Sequence, residues 1–202
     1  MNEFDRGISE LLGRDRLKKI QGIKIGIAGA GGLGSNCSLN FVRCGFKKIK
    51  IVDMDFVEPS NLNRQFYFYN QIGMPKVLAL KENLIRINPD VQVEAILQKI
   101  TRKNIKELFA DCNVLIEAFD GASRKVMMAE EFFSSDKFLV FASGIAGWGK
   151  SDDIQTQKVH EKFYVVGDFR TEPTKATPPM SPRVNIVAAK QADIVLNYFL
   201  NV

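Results

Sequence analysis

The sequence predicts an α/β protein with a doubly wound, mostly parallel sheet, flanking helices and a C-terminal helix. Three observations predict this fold class. Short apolar runs alternate with helix-length segments between residues 23 and 142, in the strand–helix–strand order that gives a parallel sheet. A glycine-rich turn links the first apolar run to the first helical segment. The 202 residues are 46% hydrophobic, which is typical of one folded domain, predicted over residues 1–202.

Each element follows from the spacing of its apolar residues. The strands are short apolar runs or alternating segments, whereas the helices repeat apolar residues every three to four positions. Residues 1–22 are assigned to an N-terminal helical arm. Asn88-Pro89 ends one helix, and residues 168–183, with four of the seven prolines, predict a mobile loop. The predicted strands are residues 23–28, 48–52, 91–97, 114–118 and 138–142, and the predicted helices are residues 34–44, 75–87, 105–110, 123–133 and 185–200.

Composition narrows the class of protein. The net charge of +5 is spread in short clusters, so a solvated basic surface is favoured over a nucleic-acid patch, although the bias suits anionic ligands or an acidic partner. Three cysteines without a CxxC spacing and a single histidine predict no zinc site. Residues 1–22 lack the apolar core of a secretory signal, and no apolar run approaches a membrane span. We therefore expect a cytoplasmic protein that contacts neither membranes nor nucleic acids.

The strongest local signal is the glycine turn formed by Gly29, Gly31, Gly32 and Gly34. It matches G-x-G-x-x-G, follows a predicted strand and opens a predicted helix, which is the context in which this motif binds a nucleotide. Its glycines allow a tight turn, a close phosphate and close packing of helix on strand, and the helix N-terminus attracts an anion. Asp53 ends the next predicted strand, where a carboxylate accepts a hydrogen bond from a ribose hydroxyl.

The turn alone leaves NAD, FAD and ATP open, and it lacks the lysine of a Walker A loop. Three later residues favour a triphosphate. Arg64 and Lys76 could neutralise phosphate charge and stabilise departing pyrophosphate. Asp120 follows a predicted parallel strand, at the sheet edge where such folds bind ligands, and a carboxylate there suits Mg²⁺.

Four motifs in order resemble one family: GAGGLGS at the turn, then D-x-D-x-V-E-x-S-N-L-N-R-Q, then G-x-P-K, then the later aspartate. The chain is similar to the ubiquitin-activating-enzyme-like adenylyltransferases, whose bacterial branch comprises the ThiF and MoeB types. The resemblance implies a Rossmann-like nucleotide-binding fold. The short length, the lack of zinc cysteines and the segment from Pro178 onward look most like the compact ThiF type of thiamine biosynthesis.

The resemblance implies that Mg-ATP and a small ubiquitin-like sulfur carrier protein ending in Gly-Gly are the substrates. The carrier's terminal carboxylate would attack the α-phosphorus, releasing pyrophosphate, and a downstream sulfur donor would later give a thiocarboxylate. Carried onto this sequence, the turn lies against the phosphates and Asp53 holds the ribose, with Asp120 on Mg²⁺. The remaining nucleotide-contacting candidates are Asp55, Asn61, Arg64, Gln65 and Lys76. The resemblance also implies a homodimer in which Arg6 reaches the neighbouring ATP, with Arg14 and Arg16 as competing choices.

Several alternatives stay open at this point. The carrier could serve the molybdenum cofactor, or the acceptor could belong to a tRNA-modifying relative. An NAD-dependent oxidoreductase would need a residue that supports hydride transfer, and the sequence offers no obvious one. A binding module that has lost activity is opposed by the intact cationic residues. The last cysteine, Cys112, precedes Asp120, so no covalent transfer step on this chain is expected.

Overall fold

The computed structural model describes residues 1–201, and within this range seven strands form one sheet in the order β3-β2-β1-β4-β5-β7-β6. All neighbouring strands are parallel except β6 and β7. The strands are β1 (Lys24–Ala28), β2 (Lys48–Asp53), β3 (Gln92–Leu97), β4 (Val114–Glu117), β5 (Phe138–Ala142), β6 (Gln155–His160) and β7 (Phe163–Gly167). The helices are α1 (Glu3–Leu12), α2 (Arg14–Gly22), α3 (Gly32–Arg43), α4 (Lys76–Ile87), α5 (Ile105–Leu108), α6 (Ala122–Phe132) and α7 (Ser181–Asn201).

This architecture confirms the predicted Rossmann-like, doubly wound sheet and all five predicted strands. The five predicted helices are also present, with ends that shift by a few residues. The largest shift is at α7, which begins at Ser181 rather than at the predicted Asn185, so the predicted loop over 168–183 extends too far. The mobility of the rest of that loop stays a prediction. The predicted N-terminal arm is helical but is divided in two at Gly13, whose φ is +88°.

Two strands were not predicted. β6 and β7 form an antiparallel hairpin at one edge of the sheet, after the point where the sequence pattern weakens. Every residue of β6 is exposed, so its side chains carry no alternation of apolar and polar residues. The sheet is therefore mostly parallel, with one antiparallel edge strand.

Apolar side chains cover both faces of the sheet. On one face, Ile25 and Ile27 of β1 join a buried cluster with α2, α3, α4 and α7, and the other face carries a second cluster with α5 and α6. A side chain at Gly26 would lie 2.6 Å from Phe109 Cδ1 and 2.9 Å from Leu115 Cδ2. Glycine at this position therefore lets the second layer pack directly on the central strand.

Cys37 of α3 lies in the first cluster, and Cys44, which directly follows that helix, packs against it. Cys37 is buried and Cys44 is half-buried, and both thiols are free. Burial raises the pKa of both thiols, and it raises the pKa of Cys112 to about 12. A thiol must ionise to act as a nucleophile, so these cysteines contribute packing rather than reactivity.

A network of charges joins the first three strands to the segment after α5. Lys24 Nζ and Lys50 Nζ lie 2.5 Å and 2.6 Å from the two carboxylate oxygens of Asp111, and Lys50 Nζ is 3.2 Å from Glu94 Oε2. Hydrogen bonds from the two lysines hold the pKa of Asp111 well below its usual range. The network lets two lysines lie on the sheet face that α5 covers.

We expect Asp111→Asn to lower the free energy of unfolding at pH 7 by about 0.5–1 kcal/mol, a small value because solvent screens a half-exposed carboxylate. A depressed pKa in the folded state stabilises above the unfolded pKa of about 3.9 and loses its effect as the pH falls toward the folded pKa. Urea unfolding of parent and variant at pH 7 and near pH 3 measures the difference. An equal gap at both pH values would contradict the assignment.

Among residues 1–201, no helix combines the length and the apolar character that crossing a bilayer requires.

Candidate functional site

The glycine turn lies where β1 ends, at the carboxyl edge of the sheet. Gly29 has a φ of +109°, and a side chain there would lie 2.7 Å from the carbonyl oxygen of Ala118 at the end of β4. A side chain at Gly34 would overlap the carbonyl of Gly29. These two glycines therefore permit the turn and the close packing of α3. No side chain within residues 1–201 caps the start of α3 at Gly32, so its N-terminal N–H groups face this edge and favour an anion.

Asp53 ends β2 beside the turn, as the sequence predicts. Its Oδ2 accepts a hydrogen bond of 2.5 Å from the backbone N–H of Ala30, and its Oδ1 accepts one of 2.7 Å from the N–H of Asp55. The carboxylate therefore fixes both the turn and the loop after β2. An ionised carboxylate has further acceptor sites, which leaves room for a ribose hydroxyl.

A buried layer behind the turn was not recognised in the sequence. Tyr67 Oη donates a hydrogen bond of 2.6 Å to the carbonyl of Ala30, and Ser35 Oγ accepts one of 3.0 Å from the N–H of Phe66. Asn36 Nδ2 donates to the carbonyl of Arg64 over 2.8 Å. These bonds tie residues 64–67 to the turn. The signal in the sequence is the polar pair Ser35-Asn36 directly after Gly34. In the motif analysis these two positions served only to exclude a Walker A loop, which has a lysine there.

Arg64 and Gln65 lie next to the glycine turn. A side chain at Gly32 would lie 3.6 Å from Arg64 Cγ, and the Arg64 guanidinium donates 3.1 Å and 2.7 Å hydrogen bonds to Ser60 O and Asn63 Oδ1. Burial lowers the pKa of Arg64, yet an arginine remains charged at neutral pH.

The amide of Gln65 gives a direct indication of a ligand. Gln65 is buried, and its Oε1 has no hydrogen-bond partner among the described residues. Its Nε2 lies 4.0 Å from the position that a side chain at Gly31 would take. A buried polar atom without a partner is costly, so this amide beside the turn fits a nucleotide that supplies the missing donor. The amide oxygen of Asn61, by contrast, already has a partner, because it accepts a hydrogen bond of 3.1 Å from the N–H of Glu58.

Lys76 is the first residue of α4 and is held against the loop after β2. Its backbone N–H donates to Asp55 O over 2.9 Å, and its Nζ lies 3.2 Å from Asp55 Oδ2. Lys76 is buried, whereas the Asp55 side chain is 57% exposed. The structure therefore places the lysine of the G-x-P-K motif next to Asp55, in the loop that begins where β2 ends at Asp53.

Asp120 follows β4 and carries the carboxylate predicted for Mg²⁺. Its side chain is 84% exposed and pairs with Arg124 of α6, whose guanidinium lies 5.5 Å from the centre of the Phe119 ring. Within residues 1–201, no three acidic, histidine or cysteine side chains gather as a metal site. One carboxylate together with nucleotide phosphates is nevertheless a normal Mg²⁺ donor set, so Asp120 fits a metal that arrives with the nucleotide.

Arg6 is not brought to this site within the chain. It lies on α1 and pairs with Glu3. Its neighbour Asp5 forms an ion pair of 2.5 Å, from Oδ2 to Lys47 Nζ, and Lys47 directly precedes β2. Asp53 and the glycine turn lie at the other end of that strand. A role for Arg6 therefore requires a second copy of the chain and stays a prediction.

A concavity opens at the same edge of the sheet as the glycine turn, beyond β5 and β7. It has a volume of about 380 Å³ and lies beside Trp148, which is 66% exposed. Arg183 at the start of α7 is buried there, paired with Asp168, and donates 2.9 Å and 3.0 Å bonds to the carbonyls of Gly149 and Lys150. Its Nε has no partner in the described part of the chain. The concavity is thus lined by a buried ion pair and an exposed aromatic ring.

The comparisons with known proteins agree with this geometry. A family model described as the ThiF family matches residues 4–202. The sulfur carrier protein ThiS adenylyltransferase of Bacillus subtilis (strain 168) is 30% identical over 141 residues, 68% of this chain and 42% of that protein. The SUMO-activating enzyme subunit 2 of Dictyostelium discoideum is 33% identical over 186 residues, 86% of this chain and 28% of that protein.

A solved structure shares the fold over nearly the whole chain. The E. coli tRNA N6-threonylcarbamoyladenosine dehydratase TcdA, in complex with AMP, matches with a TM-score of 0.88 at 19% identity. The match covers 97% of this chain and 93% of that chain. The chain spans less than half the length of the two curated relatives above.

Proposed function

Since the chain belongs to the ThiF family, we propose that it is an ATP-dependent adenylyltransferase acting on a small ubiquitin-like sulfur carrier protein. It activates the carboxylate of the carrier's C-terminal Gly-Gly with release of pyrophosphate, and the pathway is thiazole formation for thiamine. The relative named as a ThiS adenylyltransferase supports this choice of carrier. The same chemistry on a molybdenum-cofactor carrier is the alternative nearest to it.

One observation carries the proposal: two cations and a carboxylate follow the carboxyl ends of β2 and β4, the strands on either side of the glycine turn. A side chain at Gly32 would lie 3.6 Å from Arg64 Cγ, Lys76 Nζ contacts Asp55 just after β2, and Asp120 follows β4, whose end lies against Gly29. A dinucleotide held by its diphosphate at the turn would leave these cations without a role. A triphosphate with Mg²⁺ uses all of them, since its charge extends beyond the turn.

The chain's residues act by positioning two anions. The carrier's carboxylate is ionised near neutral pH, so its oxygen attacks the α-phosphorus without a protein base. The bond from the α-phosphorus to the bridging oxygen breaks, and pyrophosphate carries away the electron pair. Arg64 and Lys76 screen the repulsion between carboxylate and phosphates and stabilise the leaving group. When bound at Asp120, Mg²⁺ supplies further charge neutralisation.

The concavity beside Trp148 and Arg183 supports the path of the carrier's tail. It lies at the same sheet edge as the glycine turn, and we propose that the extended Gly-Gly segment runs from it toward Asp120. The Trp148 ring offers an apolar wall, and the Arg183 Nε offers a donor for a backbone carbonyl. We also propose a cytoplasmic homodimer in which the partner copy supplies Arg6, and a separate sulfur donor that acts after adenylylation.

ATP–pyrophosphate exchange tests the proposal. The chain is incubated with ATP, labelled pyrophosphate and a purified ThiS-type carrier, and label is expected in ATP only when the carrier ends in Gly-Gly. A carrier that lacks its last glycine is the matched control. Exchange with a molybdenum-cofactor carrier alone would move the proposal to that pathway. Exchange with threonylcarbamoyladenosine tRNA alone, or none with any acceptor, would overturn it.

A further inference from the structure

Glu117, the last residue of β4, is fully buried directly before the segment that carries Asp120. Its Oε1 accepts hydrogen bonds of 2.7 Å from the Phe119 N–H and 2.8 Å from Lys125 Nζ. Its Oε2 accepts bonds of 2.8 Å from Lys125 Nζ and 3.3 Å from the Ala142 N–H. One side chain therefore joins the ends of β4 and β5 to α6.

Burying the Glu117 carboxylate costs free energy. A buried carboxylate must be paired and hydrogen-bonded, and a well-packed apolar pair in place of an ion pair is often as stable or more stable. The general stability of the sheet therefore does not explain the pair. Its position does suggest a reason, because it fixes both sides of the short turn that bears the candidate metal ligand.

The turn between β4 and α6 has an anchor on each side of Asp120. Before it, the Glu117 carboxylate holds the Phe119 N–H, and after it, the same carboxylate holds Lys125 in the first part of α6. Arg124, the neighbour of Lys125, pairs with Asp120 itself. Asp120 is otherwise exposed, so its direction depends on how this turn is held.

We infer that the buried Glu117 carboxylate and the partly exposed Lys125 ammonium form a clasp that positions Asp120 to hold the divalent metal of the bound nucleotide, without either residue touching the substrate. The structure commits the Lys125 ammonium to Glu117, through hydrogen bonds of 2.8 Å to both carboxylate oxygens. This inference rests on the proposed function. Residues behind a metal ligand typically change metal affinity by about 10–100-fold when they are replaced.

Metal binding without turnover tests the clasp. Mn²⁺ is titrated by electron paramagnetic resonance against the chain saturated with a non-hydrolysable ATP analogue. Lys125→Met leaves Glu117 buried without its cation, and we expect the Mn²⁺ dissociation constant to rise about 10–100-fold. Lys125→Arg retains a cation within reach of the carboxylate, so its constant should stay within about threefold of the parent's. Lys103→Met, an exposed lysine-to-methionine change between β3 and α5, is the matched control and should change nothing.

The outcomes separate this inference from the proposed function. Lys125→Met with the parent's Mn²⁺ affinity, or Lys125→Arg as weak as Lys125→Met, overturns the clasp alone. A parent that binds no Mn²⁺ with the nucleotide overturns the proposed function and the clasp together. If Lys125→Met does not fold, Glu117→Gln/Lys125→Gln replaces it, because this double variant buries no charge. It should fold and bind Mn²⁺ about 10-fold more weakly, and unchanged binding would overturn the clasp.

Discussion

Asp120→Ala is expected to reduce ATP–pyrophosphate exchange below detection while leaving the fold intact. The variant removes the exposed carboxylate after β4 that we propose as the metal ligand, and the loss of preorganised charge stabilisation is large in a reaction between two anions. The side chain is 84% exposed, and among residues 1–201 its only ion pair is with Arg124. Exposed pairs of this kind contribute about 0–1 kcal/mol to stability. Exchange rates and thermal unfolding, measured on the same samples, check both halves of the expectation.

Asp136→Ala is the matched control for Asp120. Asp136 is also exposed, and it precedes β5 at the opposite edge of the sheet. Its exchange rate and melting temperature should equal those of the parent. An Asp120→Ala variant that keeps near-parent exchange would remove Asp120 from the site, whatever its stability.

Lys76→Ala is expected to lower the rate of exchange by about 10²–10³-fold, the usual cost of removing one preorganised charge stabiliser. Its ammonium contacts the exposed carboxylate of Asp55, which remains solvated when the lysine is lost, so the fold should tolerate the change. Because we propose that the ammonium stabilises the leaving group, we expect the loss in kcat rather than in the KM for the carrier. Steady-state exchange over a range of carrier concentrations measures both parameters.

Arg86→Ala provides the comparison for Lys76. Arg86 is an exposed cation near the other end of α4, so it tests whether the loss of any positive charge on that helix slows the reaction. We expect full activity. A Lys76→Ala variant within about threefold of the parent kcat would show that Asp55 and Lys76 form only a structural pair, since an unused charge stabiliser costs nothing when removed.

The parallel part of the fold was predictable because the burial of its strands is visible as a pattern of apolar residues in the sequence. β1, β4 and β5 are buried on both faces and therefore stand out as short apolar runs, whereas β2 shows apolar residues between its lysines. The relation between the turn and Asp53 was equally accessible, since the motif fixes strand, turn and acid within one βαβ unit. The 2.5 Å bond from the Ala30 N–H to Asp53 confirms that the two are brought together.

The parts that escaped prediction depend on contacts between distant segments. β6 is exposed throughout, so burial leaves no pattern in its sequence. Tyr67 contacts Ala30 and Lys125 contacts Glu117 because of the way in which a loop and a helix pack on the sheet. Residues 66–69 are all aromatic, and the sequence does not indicate which of these rings pack in the core. In the structure Tyr67 is buried and Tyr69 is exposed. Side-chain direction within an element is decided by packing.

Intact mass spectrometry of the carrier tests the central claim most directly. The chain, Mg-ATP and a purified ThiS-type carrier with its Gly-Gly end are mixed without a sulfur donor and quenched in acid. The account predicts that the carrier gains the mass of one adenylyl group, that hydroxylamine removes it, and that this chain itself gains none. A carrier of unchanged mass, or an adenylyl group found on this chain instead, would contradict the account.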